Sequence, residues 1–181
     1  MTRVLLDACV LYPTVMREVL LGAAAEGLFT PLWSERLLEE WARAAARRGE
    51  LDEMQARGEI ALLRAHWPSA SIQPRDGDLA RLWLPDENDI HVLAAAIAGS
   101  ADVIVTLNIK DFPRHILAEE GVARQDPDGF LHALWLDHPE ALERVGAKVL
   151  AQAEEIDTAP HDLRKLLKKA RLPRLAKALA G

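Results

Sequence analysis

Three carboxylates stand within four positions at the start of an otherwise apolar stretch, in LPDENDIHVLAAA (residues 84–96). Asp86, Glu87 and Asp89 could simply complement the dipole of a helix that begins here, an effect worth about 0.3–1 kcal/mol for each acid. Alternatively, they hold a cation against the protein core. Oxygen ligands without His or Cys favour Mg²⁺ or Mn²⁺ over zinc. The stretch by itself leaves both interpretations open.

Further acids follow the segments that look like buried strands. Asp7 ends the short apolar run RVLL, and both Asn108 and Asp111 follow the β-branched run VIVT. In open parallel sheets, sites form at the carboxyl ends of the strands, where the strand order reverses. We therefore expect Asp7, Asp89 and Asp111 to converge on one edge of a sheet. Like charges brought this close repel, so such a cluster requires a cation or raised pKa values.

A glutamate on a predicted helix could join these aspartates. Ser34 is a typical N-cap residue before the helical stripe of SERLLEEWARAAARR. Glu40 lies on the face of this helix that also carries Leu37 and Ala44, and we expect it to point inward. Its neighbour Glu39 is not expected to take part.

The elements that must position these residues alternate between strands and helices. Buried strands are predicted at residues 3–6 and 103–105 from their short apolar runs. Helical patterns and caps predict helices at 13–28, 34–48, 51–66, 88–98, 127–136, 139–155 and 162–178. This alternation indicates an α/β fold with a parallel sheet. The stretch TAPHD, at 158–162, is a candidate boundary before a basic tail.

Composition limits the class of protein. The chain has 181 residues, half of them apolar, which suits a domain with a sizeable core. The single cysteine, Cys9, excludes a disulfide framework and fits a reducing cytoplasm. The first residues lack the pattern of a signal peptide, and no apolar run reaches the roughly 18 residues of a membrane span. We expect a cytoplasmic protein without a membrane partner.

The net charge of −6 conceals an asymmetry between the tail and the rest of the chain. Residues 161–181 carry a charge of +6, which leaves −12 on residues 1–160. An acidic body repels nucleic acid unless cations offset its charge, whereas a basic tail attracts it. The tail pattern allows three interpretations: a packed helix with a solvated basic face, an RNA-steering arm, or a membrane-surface helix.

Four motifs together resemble the PIN-domain ribonucleases, most closely the VapC-type toxins of bacterial toxin–antitoxin pairs. They are LLDACVL, SERLLEEW, LPDENDIHVLAAA and VIVTLNIKDFP, and they occur in the family's order. The resemblance implies a PIN-like three-layer fold, with a central, mainly parallel sheet flanked by helices, over residues 1–137. Residues 138–181 would then form a C-terminal helical extension that ends in the basic tail.

The resemblance also implies roles for individual residues. It assigns catalytic and metal-binding roles to four acids: Asp7, Glu40, Asp89 and Asp111. It assigns auxiliary roles to three residues: Asp86, Thr106 and Asn108. The implied activity is hydrolysis of RNA phosphodiester bonds by an endoribonuclease that requires Mg²⁺ or Mn²⁺. The implied partners are an RNA substrate, a cognate antitoxin and a second copy of the chain in a homodimer.

Other functions fit the motifs less well. A phosphatase-like phosphoryl-transfer domain would want a second Asp two residues after Asp7, where Cys9 stands. A receiver domain is likewise disfavoured, because such a domain pairs acids before the end of its first strand with a lysine after a later strand. A non-catalytic PIN-fold module that binds RNA or protein is the main alternative, although such a module would be free to lose acids that this chain retains.

Overall fold

The computed structural model describes residues 1–158 and 160–181 and shows an α/β fold built on a parallel sheet. Its strands are β1 (Arg3–Leu6), β2 (Thr30–Leu32), β3 (Val103–Val105) and β4 (Ala123–Gln125). They lie side by side in the order β2-β1-β3-β4, and every neighbouring pair is parallel. The two predicted strands, β1 and β3, therefore form the centre of the sheet.

Helices connect the strands and flank the sheet. Those before β3 are α1 (Ala8–Leu11), α2 (Thr14–Ala25), α3 (Glu35–Ala46), α4 (Glu50–His66), α5 (Asp76–Arg81) and α6 (Ile90–Ala98). Those after β3 are α7 (Arg114–Glu119), α8 (Pro127–Asp137), α9 (Pro139–Ile156), α10 (Leu163–Lys169) and α11 (Pro173–Ala180). Two single 3₁₀ turns, Glu87–Asp89 and Ile109–Asp111, carry acids of the predicted site.

Burial explains why these segments take these forms. All three residues of β3 are buried, as a continuous β-branched run covered on both faces requires. Helix α6 contacts both β1 and β3, and its residues 91–96 are all buried. At the start of α3, the Ser34 hydroxyl accepts a hydrogen bond from the Leu37 N–H at 3.2 Å, so the predicted N-cap is confirmed.

Some predicted boundaries were wrong. The predicted helix at 13–28 is shorter, because Pro13 takes an extended conformation before it and Gly27, with a φ of +82°, ends it. A separate short helix, α1, precedes it. The predicted tail helix is divided into α10 and α11. The chain turns at Arg171, whose φ is +66°, and Pro173 then occupies the first position of α11. Strands β2 and β4 and helices α5 and α7 were not predicted.

The C-terminal helices pack on the rest of the domain. Helix α9 contacts α2, where a Cβ added to Gly22 would lie 2.9 Å from Val145 Cγ1. Leu167, Leu172 and Leu175 of the tail are fully buried.

The boundary at residue 137 stays a prediction, and Ala159 in the candidate boundary at 158–162 lies outside the described residues. Within the described ranges, no helix has both the length and the apolar character needed to cross a membrane.

The packing of α11 depends on a buried carboxylate from α8. Asp128 accepts hydrogen bonds from the backbone N–H groups of Arg174 and Leu175 at 2.9 and 3.0 Å. These N–H groups lie in the first turn of α11 and have no partner within the helix. We therefore expect Asp128→Ala to lower the free energy of unfolding by about 1–3 kcal/mol in urea denaturation.

The matched control for this prediction is Asp137→Ala, which removes an exposed acid from the same helix. It should change the free energy of unfolding by no more than about 0.5 kcal/mol. If Asp128→Ala unfolds at the same urea concentration as the unmodified chain, the carboxylate does not hold α11 in place.

Candidate functional site

The strand order creates a crevice at the carboxyl ends of β1 and β3. The chain leaves β1 for β2 on one side and then crosses back to β3 on the other side, so the order reverses between β1 and β3. Such a reversal is where open α/β sheets bind ligands. Leu6 pairs with Val105 at this end, and the Asp7 N–H donates to the Val105 carbonyl at 3.1 Å. Asp7 therefore enters the crevice directly from the centre of the sheet.

The Asp7 carboxylate is buried and held by neutral donors. Its Oδ1 accepts from the Ala8 N–H at 2.8 Å, and its Oδ2 accepts from the Thr106 hydroxyl at 2.8 Å. The Cys9 thiol also donates to Oδ2, at 3.5 Å. Burial raises the pKa of Asp7 despite these hydrogen bonds, and the negative charge of Glu40 raises it further. The structure thus places Thr106, a predicted auxiliary residue, against a predicted catalytic acid.

The same neutral groups tie the loop after β3 to Asp7. The Thr106 hydroxyl accepts from the Asn108 N–H at 3.0 Å, and the Cys9 sulfur accepts from the Leu107 N–H at 3.3 Å. Burial raises the pKa of the Cys9 thiol to about 12, so this group stays protonated at neutral pH and can donate to a carboxylate. Asn108 takes part through its backbone while the residue itself is exposed. The predicted assistance from its side chain stays a prediction.

The acids of the 84–96 stretch divide into two kinds. Asp86 Oδ1 accepts a hydrogen bond from the Asn88 N–H at 2.9 Å, so Asp86 starts the 3₁₀ turn before α6. Asp89 makes no cap hydrogen bond, and its buried Oδ2 has no hydrogen-bond partner among the described residues. Burial raises the pKa of Asp89 to about 6, helped by the charges of Asp111, Asp86 and Asp7. Asp86 thus fits a helix start, and Asp89 fits a ligand for a cation.

A partly buried arginine positions the loop that carries Asp111. The Arg124 guanidinium donates from Nη1 to the carbonyls of Ile109 and Phe112 at 2.6 and 2.8 Å. The Asp111 N–H donates to the Asn108 carbonyl at 3.0 Å, which closes the turn. The Phe112 side chain is fully buried, so the turn is held both by the hydrogen bonds from Arg124 and by the packing of Phe112 in the core. Asp111 is therefore held close enough to Asp89 to raise its pKa.

Two neighbouring glutamates of α3 have different surroundings. Glu39 forms paired hydrogen bonds with Arg57 at 2.9 and 3.0 Å, which lower its pKa to about 2. Glu40 Oε1 instead lies 2.8 Å from Nε2 of the buried His91 and 3.9 Å from Arg36 Nε. Burial is the main cause of the raised pKa of Asp7, and the negative charge of Glu40 adds a smaller contribution in the same direction. The sequence predicts that the Glu40 side chain points inward. In the structure it contacts the buried His91 ring but is still 40% exposed, so it points inward only in part.

The predicted acids form an electrostatic cluster. Asp7 interacts with Glu40, and Asp89 interacts with both Asp7 and Asp111. Within residues 1–158 and 160–181, no three His, Cys, Asp or Glu side chains are already grouped to hold a metal ion. The donor set still fits Mg²⁺ or Mn²⁺, because it consists of carboxylates and includes the unpartnered Oδ2 of Asp89. The site therefore suits a divalent ion in its chemistry without presenting a preformed cage.

Sequence reasoning missed three residues of this site. Neither His91 nor Cys9 is among the residues that the sequence assigns to the site, yet each contacts a predicted catalytic acid. His91 had a signal, since it is the one polar residue in the run IHVLAAAIA. Arg124 had none, because its role depends on the carbonyls that the fold brings to it.

Comparison with known protein families matches residues 2–110 to the PIN domain. The matched segment covers more than half of the chain and includes Asp7, Glu40 and Asp89, while Asp111 lies one residue beyond it. Searches of curated proteins and of solved structures gave no match.

The raised pKa of Asp89 predicts how stability depends on pH. Its carboxyl binds a proton more tightly in the folded protein, with a pKa of about 6, than in the unfolded chain, where the value is 3.8. The associated stability is therefore fully present below pH 3.8 and is lost as the pH rises through about 6. We expect Asp89→Asn to raise the melting temperature of the metal-free protein more at pH 7 than at pH 4.

The control for this prediction is Glu87→Gln, which neutralises an exposed acid two residues away. Its melting temperature should follow that of the unmodified protein at both pH values. Equal effects of Asp89→Asn at pH 4 and pH 7 would contradict a raised pKa at this position.

Proposed function

Because the chain belongs to the PIN-domain family, whose members are commonly nucleases and generally use divalent metals, we propose that it is a divalent-metal-dependent endoribonuclease. We further propose that it is the toxin of a VapC-type toxin–antitoxin pair. The observation that supports the nuclease most strongly is the mutual electrostatic influence of four acids at the carboxyl ends of β1 and β3: Asp7, Glu40, Asp89 and Asp111.

Each acid has a role in the proposed reaction. Asp7, Asp89 and Asp111 would hold Mg²⁺ or Mn²⁺, and Glu40 would complete the ligand set or orient the attacking water. A bound divalent ion supplies charge neutralisation at the phosphate and makes water more acidic. Thr106 and Cys9 hold the Asp7 carboxylate by donating to its Oδ2, while Oδ1, which accepts from the Ala8 N–H, keeps a second lone pair for a cation. Asp86 and Asn108 would assist from the two loops that border the crevice.

Basic residues beside the acids support RNA as the substrate. A cavity of about 290 Å³ next to the Asp111 turn is lined by Ile109, Arg114, Arg124, Gln125, Asp126 and Gly129. Cations at this position can contact a phosphate backbone whose scissile bond lies over the carboxylates. The tail adds exposed cations on α10 and α11, while its buried leucines pack in the protein. The apolar side of the tail is therefore packed, as the first of the three interpretations of the tail expects. That its basic side steers RNA stays a prediction.

The proposed partners rest on the family resemblance. VapC-type toxins are neutralised by an antitoxin and form dimers, and we propose the same for this chain. Helix α4 carries three largely exposed apolar side chains at helical spacing, Leu51, Met54 and Leu62. An exposed apolar group of this kind suits a protein partner better than water.

One alternative function has an observation in its favour. A non-catalytic PIN-fold module for RNA or protein binding would need no metal cage, and the described residues contain no preformed group of three ligands. The two functions differ in one measurable property. Only the nuclease cuts RNA in a reaction that depends on a divalent ion and on Asp7.

The proposed activity is tested by incubating the purified protein with total RNA in Mg²⁺, Mn²⁺ or EDTA. We expect cleavage with either ion and none with EDTA. Asp7→Asn should reduce cleavage by more than about 100-fold, since even substitutions beyond the direct metal ligands cost 10–100-fold. Far-UV circular dichroism should show an unchanged fold, because the Asn oxygen can still accept from the Ala8 N–H and its amide can donate to the Thr106 hydroxyl.

The matched control is Glu39→Gln, compared with Glu40→Gln at the next position of α3. Glu39 is bound by Arg57, so its substitution should leave cleavage within about twofold, whereas Glu40→Gln should reduce it at least about tenfold. Cleavage that persists in EDTA, or a folded Asp7→Asn protein that cuts RNA at the original rate, would favour the non-catalytic alternative and a contaminating nuclease.

A further inference from the structure

His91 occupies an unusual position for a polar side chain. It lies on α6 in a run whose other residues are all apolar, and it is only 3% exposed. Buried polar groups normally have hydrogen-bond partners. Among the described residues, neither ring nitrogen of His91 has a partner within hydrogen-bond geometry. A purely structural role does not explain why a polar ring is retained here.

The close polar neighbour of this ring is a predicted catalytic acid. His91 Nε2 lies 2.8 Å from Glu40 Oε1, a distance within the range of a charge-assisted hydrogen bond. Only the direction of the contact departs from hydrogen-bond geometry. Hydrogen bonds in active sites are often poorly aligned before the ligands bind and improve afterwards. The contact also joins α3, which carries Glu40, to α6, which begins directly after Asp89.

Glu40 has a competing partner at the surface. Arg36 lies one turn earlier on α3, and its Nε is 3.9 Å from the same Oε1. Both side chains of this pair are substantially exposed, at 57% and 40%, and such pairs constrain a side chain weakly. The same Oε1 of Glu40 thus has an inward contact with His91 and a longer, outward contact with Arg36. Because the His91 ring is buried and Arg36 is exposed, the inward contact constrains the carboxylate more strongly than the outward pair does.

We propose that His91 is a positioning residue, which holds the Glu40 carboxylate toward Asp7 so that the two acids can share one divalent ion. The proposal rests on the nuclease function proposed above and adds a residue outside the acid set. His91 acts through Glu40 and does not contact the ion or the RNA. Substitutions that remove its Nε2 donor should therefore weaken metal binding, and they should do so only when Glu40 is present.

The test compares three substitutions of His91. Gln places an amide N–H near the position of Nε2, Asn places its amide near Nδ1, and Phe keeps the ring without a donor. Calorimetric titration of Mn²⁺ into each metal-free variant measures affinity without any catalytic readout. We expect His91→Phe and His91→Asn to weaken Mn²⁺ binding by about 10–100-fold, and His91→Gln to stay within about threefold of the original.

The control variant is Arg36→Ala, which removes the other partner of Glu40 and leaves α6 untouched. It should not weaken Mn²⁺ binding, because the outward pair does not hold Glu40 in the site. In RNA cleavage at saturating Mn²⁺, His91→Phe should recover most of its kcat, since added ion compensates for lost affinity. If His91→Phe does not fold, the comparison of Gln with Asn still decides, because equal affinities for these two would overturn the proposal.

A double substitution separates this proposal from the function on which it rests. If His91 acts through Glu40, then His91→Phe combined with Glu40→Gln should bind Mn²⁺ no more weakly than Glu40→Gln alone. An additive loss would show that His91 acts independently of Glu40 and would overturn the proposal alone. If Glu40→Gln by itself binds Mn²⁺ as tightly as the original protein, then Glu40 is not a metal residue and both proposals lose this part of the site.

Discussion

Repulsion between the buried Asp7 carboxylate and the partly exposed acids around it is the constraint on which the candidate site depends. Asp89 lies within electrostatic reach of Asp7, Asp86 and Asp111, and Asp7 lies within reach of Glu40. The groups that hold Asp7 are neutral: a backbone N–H, the Thr106 hydroxyl and the Cys9 thiol. They satisfy its hydrogen bonds and cannot cancel its charge, so the pKa of Asp7 is raised in spite of them. A divalent cation would offset this repulsion, as would protonation of Asp7 and Asp89, whose pKa values are raised.

The parallel sheet brings these acids together from distant parts of the sequence. Because β1 and β3 are neighbours at the point where strand order reverses, Asp7 and the loop after Val105 open into the same crevice. Asp89 lies at the N-terminus of helix α6, whose residues 91–96 are buried and hold the helix in place. Arg124 holds the turn that carries Asp111 by a hydrogen bond to its backbone. The buried core therefore supplies the rigidity that keeps like charges close, and the C-terminal helices extend that core through α2, α8 and α9.

Much of this arrangement could be predicted from the sequence, because strong local patterns coincide with the central elements. The runs RVLL and VIV are β1 and β3, and Ser34 caps α3 as its sequence indicates. Strands β2 and β4 have only three residues each, and none of the residues of β4 is buried, so neither strand has an apolar run that would predict it. The different roles of Asp86 and Asp89 depend on side-chain partners that no spacing specifies. The same is true of Cys9, His91 and Arg124, whose contacts arise only when distant segments meet.

Thermal unfolding of the metal-free protein at pH 7 with increasing Mn²⁺ tests the cation requirement most directly, since it needs neither RNA nor a variant. If the ion relieves repulsion in the folded state, the melting temperature should start to rise near the dissociation constant and should go on rising with the logarithm of the Mn²⁺ concentration. At a concentration 100 times the dissociation constant, the stabilisation should reach about 2.7 kcal/mol. A melting temperature that stays constant up to millimolar Mn²⁺ would contradict the account and leave the crevice as a cluster of acids without a cation.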